Sequence, residues 1–288
     1  MSPSLQLVVG SATDTGLVRD HNEDGFLVDD GSGLFAVADG MGGHRGGEVA
    51  SAVALATLQA EFEAGLELEE SVVRANDAVY ERSTADDAVR GMGTTLTAAY
   101  LDGDGRTFVV GHVGDSRAYL LRDGELHRIT TDHSLVEELM AAGELTEEEA
   151  EVDPRRSMIT RALGLEEGVN VDLYTVELEP GDRLLLCSDG LNTMVREPEV
   201  ATLLSAAATP DEVARNLVAA ANAAGGVDNT TVVVLDVVEP SESPDDEGDG
   251  EGDLEAAGET PGQSPDESPD ESPAESSGGR RRWFRRRR

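Results

Sequence analysis

Lysine is absent from this 288-residue chain, and all 22 basic residues are arginine. Against them stand 59 Asp and Glu residues, for a formal net charge of −37. Such a chain is a poor match for nucleic acid, because gripping a phosphate backbone needs clustered cationic charge. No apolar stretch reaches the roughly 18 residues of a membrane-spanning helix. Cysteine occurs once, which excludes an internal disulfide framework. Cys187 ends the apolar run that starts at Leu184 and reads as a small core residue rather than a nucleophile. Aromatic residues are only 3%, yet hydrophobic residues total 39%, enough for a sizeable core. The opening Met1-Ser2-Pro3-Ser4 lacks the basic start and apolar stretch of a secretory signal. The expectation is a cytoplasmic protein.

The charge is unevenly spread. Residues 239–279 hold 15 acidic residues, no basic ones, one Leu and many Ser, Pro and Gly. Such a segment cannot bury enough apolar surface to offset the entropy of ordering, so it reads as a disordered acidic linker. Residues 280–288 reverse the sign, with seven Arg around Trp283 and Phe284. Residues 1–238 remain as the expected folded domain, with 44 acidic and 15 basic residues.

Hydrophobic periodicity divides that domain into paired strands and paired helices. Strands are expected at Val8–Thr13, Gly25–Val28, Leu34–Ala38, Thr95–Leu101, Thr107–Val113, Arg117–Arg122, Val171–Leu178, Arg183–Cys187 and Thr230–Val238. Helices are expected from Gly47 through Phe62, and at Glu69–Thr84, Pro198–Ala207 and Pro210–Ala223. Asp132 or Ser134 is placed to cap a short helix through Met140, and Thr146-Glu147-Glu148-Glu149 has the form of a capping box. This order is not the strict strand–helix alternation of a doubly wound parallel sheet. It implies an α+β class with antiparallel sheets and helix pairs outside.

Five segments interrupt the core pattern: Arg19-Asp20-His21-Asn22-Glu23-Asp24, Ala38-Asp39-Gly40-Met41-Gly42-Gly43-His44, Gly114-Asp115-Ser116-Arg117, Ser188-Asp189-Gly190-Leu191 and Val227-Asp228-Asn229-Thr230-Thr231. In three of them an apolar strand runs out into an Asp beside a Gly. Any one Asp-Gly is most simply a turn. Taken together, carboxylates at several strand ends would repel one another unless cations neutralised them. Hard divalent ions such as Mg2+ or Mn2+ take oxygen ligands of this kind.

These segments, in this order and with Gly93-Thr94-Thr95, resemble the metal-dependent protein phosphatases, the type-2C serine/threonine phosphatases, in their bacterial form. The likeness runs from about Val9 to Val238. It implies a four-layer α-β-β-α sandwich with two Mn2+ or Mg2+ ions at one edge and a third, weaker ion. By resemblance, Asp39 bridges the two metals and Gly40 offers a backbone carbonyl. Asp189 and Asp228 hold one metal, Glu23 and Asp24 hold the other in part through water, and Asp115 shares the third with Asp189. Arg19 binds the substrate phosphate, so Arg19 and Asp39 are the candidate catalytic residues. The implied reaction is hydrolysis of phosphoserine and phosphothreonine by a metal-activated water, with no phosphoenzyme.

One position departs from eukaryotic members, which carry His directly after the bridging Asp-Gly. Here it is Met41, as in bacterial relatives. His44, a metal-bound water, or neither remains open as the general acid. The stretch from about 133 to 160 corresponds to the family's flap, where Arg155 and Arg156 either contact acidic phosphopeptides or face water. Phosphoprotein partners follow from the resemblance: serine/threonine kinases and their targets, or a dedicated regulator such as an anti-sigma-factor antagonist. A catalytically silent module on the same fold is the reading that the full set of Asp39, Asp189, Asp228, Glu23 and Arg19 speaks against. The chain is expected to act as a monomer. Residues 280–288 are open to three readings: contact with anionic lipid at the inner membrane face, folding back on the acidic body, or a juxtamembrane patch.

Overall fold

The computed structural model describes residues 5–42, 45–240 and 284–287, which fall in one compact unit. The expected linker from residue 241 onward, most of the Arg280–Arg288 run, and His44 lie outside the described residues. In chain order the strands are β1 (Gln6–Asp14), β2 (Asp24–Asp29), β3 (Leu34–Met41), β4 (Gly93–Thr94), β5 (Leu96–Leu101) and β6 (Thr107–Val113). They continue as β7 (Arg117–Arg122), β8 (Glu125–Arg128), β9 (Asp172–Glu177), β10 (Arg183–Cys187), β11 (Thr230–Val238) and β12 (Phe284–Arg287). The helices are α1 (Gly46–Glu63), α2 (Leu68–Ala85), α3 (Leu135–Ala141), α4 (Glu147–Val152), α5 (Asp189–Met194), α6 (Glu197–Leu204) and α7 (Pro210–Ala223).

One sheet has the order β1-β11-β10-β7-β8, the other β12-β9-β6-β5-β3-β2, with β4 pairing β3. Every pairing is antiparallel. Alternation along β11 shows how the layers stack: Val233, Leu235 and Val237 meet Phe35, Val37 and Phe108 of the other sheet. Val232 and Val234 face outward, against Val213, Leu217 and Ala221 of α7. On the far side, Ala36 and Ala38 of β3 sit under Ala50 and Ala54 of α1, where small residues let the helix lie close. The result is the expected four-layer α+β sandwich.

Local signals decide the element ends. Thr146 and Glu149 close a capping box at α4, and Thr209 and Glu212 another at α7. Ser134 caps α3, whereas Asp132 is taken by Arg117 at 2.7 Å. Helix α6 stops at Leu204, short of the expected Ala207. Arg183 there donates to the carbonyls of Leu204, Ala206 and Ala208, gathering the last carbonyls that would otherwise continue the helix. Strand β8 is additional: Asp123 (φ 54°) and Gly124 (φ 78°) make a tight hairpin that returns the chain at once.

Candidate functional site

The loops that leave the strand ends at one rim carry the candidate residues. Asp24 opens β2 directly opposite Asp39 of β3. Asp115 follows β6, Asp189 opens α5 after β10, and Asp228 precedes β11. Two glycines allow these segments to touch. A Cβ on Gly190 would lie 1.9 Å from the Asn229 carbonyl oxygen, and one on Gly40 would lie 2.2 Å from that of Gly47. Neither has a positive φ, so these Asp-Gly pairs serve close approach rather than a turn.

Asn229 ties the loop before β11 to the loop between β1 and β2 at three points. Its side chain accepts from the Glu23 N–H at 2.8 Å and donates to the carbonyls of Thr15 and His21 at 2.9 Å each. Ser188 donates to Asp24 at 2.7 Å and accepts from the Thr231 N–H at 2.9 Å. The Asp39 N–H donates to Thr95 Oγ1 at 2.9 Å, and Thr95 in turn meets Ser116 at 2.8 Å. Arg19, about half exposed, donates to Asp228 at 2.7 Å. The candidate set missed Asn229, Ser188 and Thr95. They hold the acidic residues in place through long-range bonds that no spacing in the chain displays.

Electrostatically the rim is under stress. Burial first, and then repulsion from Asp24, Asp189 and Asp115, pushes the Asp39 carboxyl well above its ordinary value of 3.8. Burial raises Asp24 to about 7, against the opposing bond from Ser188. Asp115 is raised to about 8, again by burial and then by Asp189. Asp189 is raised by burial and Asp228. Two buried oxygens, Asp24 Oδ1 and Asp115 Oδ1, have no hydrogen-bond partner.

Orphaned carboxylate oxygens among mutually repelling carboxylates fit divalent cations, which would satisfy both the lone pairs and the charge. Among the described residues no three His, Cys, Asp or Glu side chains close into a ready ligand shell.

A family model for protein phosphatase 2C matches residues 16–222. The chain belongs to the protein phosphatase 2C family. The family's serine/threonine phosphatase stp from Listeria monocytogenes is 41% identical over 238 residues, covering 78% of this chain and 93% of that protein. Among solved phosphatase 2C-type structures, the Mycobacterium tuberculosis serine/threonine phosphatase PstP matches with a TM-score of 0.75 and 42% identity, over 81% of this chain and 99% of that one. A structure of the PstP catalytic domain in complex with two manganese ions matches at 0.73 and 40% identity, over 82% of this chain and 100% of that one.

Two further residues complete the picture. Cys187 is fully buried, and burial pushes its thiol up to about 12, so it stays an inert core residue. In the segment 133–160, Arg155 is held by the neighbouring Asp153 at 2.9 Å.

Proposed function

We propose that this chain is a metal-dependent phosphoprotein phosphatase that hydrolyses phosphoserine and phosphothreonine. The observation that carries the reading is the meeting of Asp115, which is buried, with the partly buried Asp24, Asp39 and Asp189, all four raised, beside the half-exposed Arg19. Asp39, Asp189 and Asp228 are the residues we assign to one Mn2+ or Mg2+ ion. Asp39 also serves the second, with the Gly40 carbonyl and with Glu23 and Asp24 reached in part through water. Asp115 and Asp189 are assigned to a third, weaker ion. When bound, the metal pair lowers the pKa of a water between its ions, so that hydroxide is available near neutral pH.

The chain's own residues do the rest. Arg19 presents a planar fork of donors suited to phosphate oxygens. Asp228 keeps that fork at the rim until a phosphate competes for it. Thr95 and Ser188 fix the orientation of Asp39 and Asp24, so the acidic residues need not reorganise during turnover.

The natural substrates are proposed to be serine/threonine kinases and their targets. The catalytic unit is assigned to residues 1–238, acting as a cytoplasmic monomer. No helix among the described residues is long and apolar enough to cross a membrane. Arginines of the 280–288 run are candidates for contact with an anionic membrane face, which sedimentation with phosphatidylglycerol vesicles tests. The activity itself is tested by hydrolysis of a phosphothreonine peptide with Mn2+, with EDTA, and with Asp39→Asn. Turnover is expected only in the first condition, and metal-independent turnover would overturn the reading.

A further inference from the structure

Strand β9 is an interior strand only because of residues near the far end of the chain. On one side it pairs with β6, and on the other with β12. Natural sheets blunt an exposed edge with proline, charge or a bulge, because unpaired N–H and C=O groups recruit other strands. The middle of β9, Leu173-Tyr174-Thr175-Val176, has no proline and no charge, and its pairing with β6 is continuous in register. It has the character of an edge that is meant to be covered.

What covers it makes a specific contact. Arg286 lies opposite Tyr174, so its side chain shares a face with Tyr174 and with Asp172, two residues before it. From that diagonal position Arg286 Nη2 reaches Asp172 Oδ2 at 2.6 Å. Asp172 is nearly buried, and Arg286 is about half exposed.

Asp172 is also the anchor of a loop neck. The segment that holds α3 and α4 leaves at His133 and returns at Thr160, whose N–H donates to the His133 carbonyl. On the outgoing side, His133 Nδ1 accepts the Gly114 N–H at 2.9 Å, which leaves its Nε2 proton to donate to Asp172 at 3.0 Å. On the returning side, Arg161 donates to Asp172 at 3.2 Å and to the Asn170 carbonyl at 3.1 Å. One carboxylate therefore pins both limbs of the neck to β9, and Arg286 is a further partner beside the Tyr174 hydroxyl. Burial works against the Asp172 charge, but the bonds from His133 and Arg286 more than offset it and hold the carboxyl below its ordinary range.

We propose that the outer edge of β9 is a docking surface for an arginine-bearing extended segment, that residues 284–287 of this chain are its occupant, and that docking steadies the neck of the 133–161 loop through Asp172. Charge complementarity favours this occupant, since an arginine run meets a body in which residues 1–238 hold 44 acidic against 15 basic residues. Chain length permits it: the residues between Pro240 and Phe284 could span more than about 100 Å if extended. Sequence also makes the docking tolerant. Arg285, Arg286 and Arg287 are consecutive, so a slip of one residue still presents an arginine to the Asp172 face.

That tolerance dictates the test. In the full chain, Arg285→Ser, Arg286→Ser and Arg287→Ser are combined to remove the charge in either register. Separately, Arg285→Pro with Arg286→Pro breaks strand pairing, since one of two consecutive N–H groups must face β9. Amide hydrogen exchange is then compared with the parent chain. In both variants the β9 amides that do not face β6 are expected to exchange about ten-fold faster or more, as are the His133 and Thr160 amides at the neck. The amides of Phe108 to Val110 in β6 are expected to stay unchanged. Unaltered β9 protection in both variants would overturn the docking. Released β9 with unaltered His133 and Thr160 would overturn the coupling to the neck. Protection that grows with protein concentration would identify a second copy as the occupant and overturn the assignment to the same chain.

Discussion

Arg19 donates to Asp228 at 2.7 Å across 209 positions of sequence. The bond joins the loop after β1 to the loop before β11, and it places the one guanidinium of the Arg19–Asp24 segment at the mouth of the acidic rim. Asp228, with Glu23 and Asp39 beyond it, keeps that group charged. Loss of a hydrogen bond to a charged group costs about 1.5–3 kcal/mol. Arg19→Ala is therefore expected to lower kcat/KM on a phosphothreonine peptide by about 10-fold to 150-fold. Mn2+ affinity, read by calorimetry, is expected to hold or rise, because Asp228 loses a competing partner. A fall in metal affinity equal to the fall in activity would show that Arg19 supports the metal residues rather than the phosphate.

The close approach at Gly190 makes a second expectation. A methyl group there would sit 1.9 Å from a backbone oxygen, with no flexible side chain to give way. Gly190→Ala must separate the Asp189 segment from Asn229, at an overpacking cost of about 1–3 kcal/mol. Gly103→Ala is the control, since nothing lies within 4 Å of its Cβ position and its φ is not positive. Urea denaturation is expected to show a lowered midpoint for the first and almost no change for the second. Equal midpoints would mean that the two loops do not pack as described.

The elements legible in the sequence were those with a repeated physical cause. Strands β6, β7, β10 and β11 and helix α7 run to the expected ends because apolar periodicity, hairpin turns and a capping box agree there. The short elements carried too few residues to show a period: β4 has two, β8 four and α5 six. Strand β12 was hidden for another reason. A run of arginines is equally consistent with lipid contact, folding back on the acidic body and a juxtamembrane patch, and only the register with Tyr174 and the bond to Asp172 gives it a place. The acidic loops could be singled out because Asp at a strand end is visible along the chain. The bonds of Asn229, Ser188 and Thr95 could not, because each partner lies at least 21 positions away.

Cys187 separates two phosphatase chemistries. A thiolate nucleophile needs a depressed pKa and access, and this thiol has neither: it is buried and pushed up to about 12. The native protein is expected to resist iodoacetamide and to keep full activity after exposure. Labelling should appear only in denaturant, as read by intact mass. Rapid inactivation with stoichiometric labelling of native protein would contradict both the packing and a reaction without a phosphoenzyme.

The raised carboxylates make the metal-free protein sensitive to alkali. For Asp24, Asp39, Asp115 and Asp189 the folded-state pKa lies above the ordinary 3.8, so between those values the folded state binds more protons than the unfolded state. Stability from these groups is complete below the ordinary value and is lost as pH rises through about 7 for Asp24 and about 8 for Asp115. Exposed carboxylates finish titrating by about pH 5, so they add little slope above that point. His112 adds nothing in that window, since burial and then His133 lower it to about 3. The Tm in EDTA is thus expected to fall from about pH 6 to about pH 9. With saturating Mn2+ the same scan should be nearly flat, because bound cations favour the ionised carboxylates throughout. Asp115→Asn removes one of the raised groups and should flatten the EDTA curve without added metal. Parallel curves in EDTA and Mn2+ would mean that the buried carboxylates do not meet the metal.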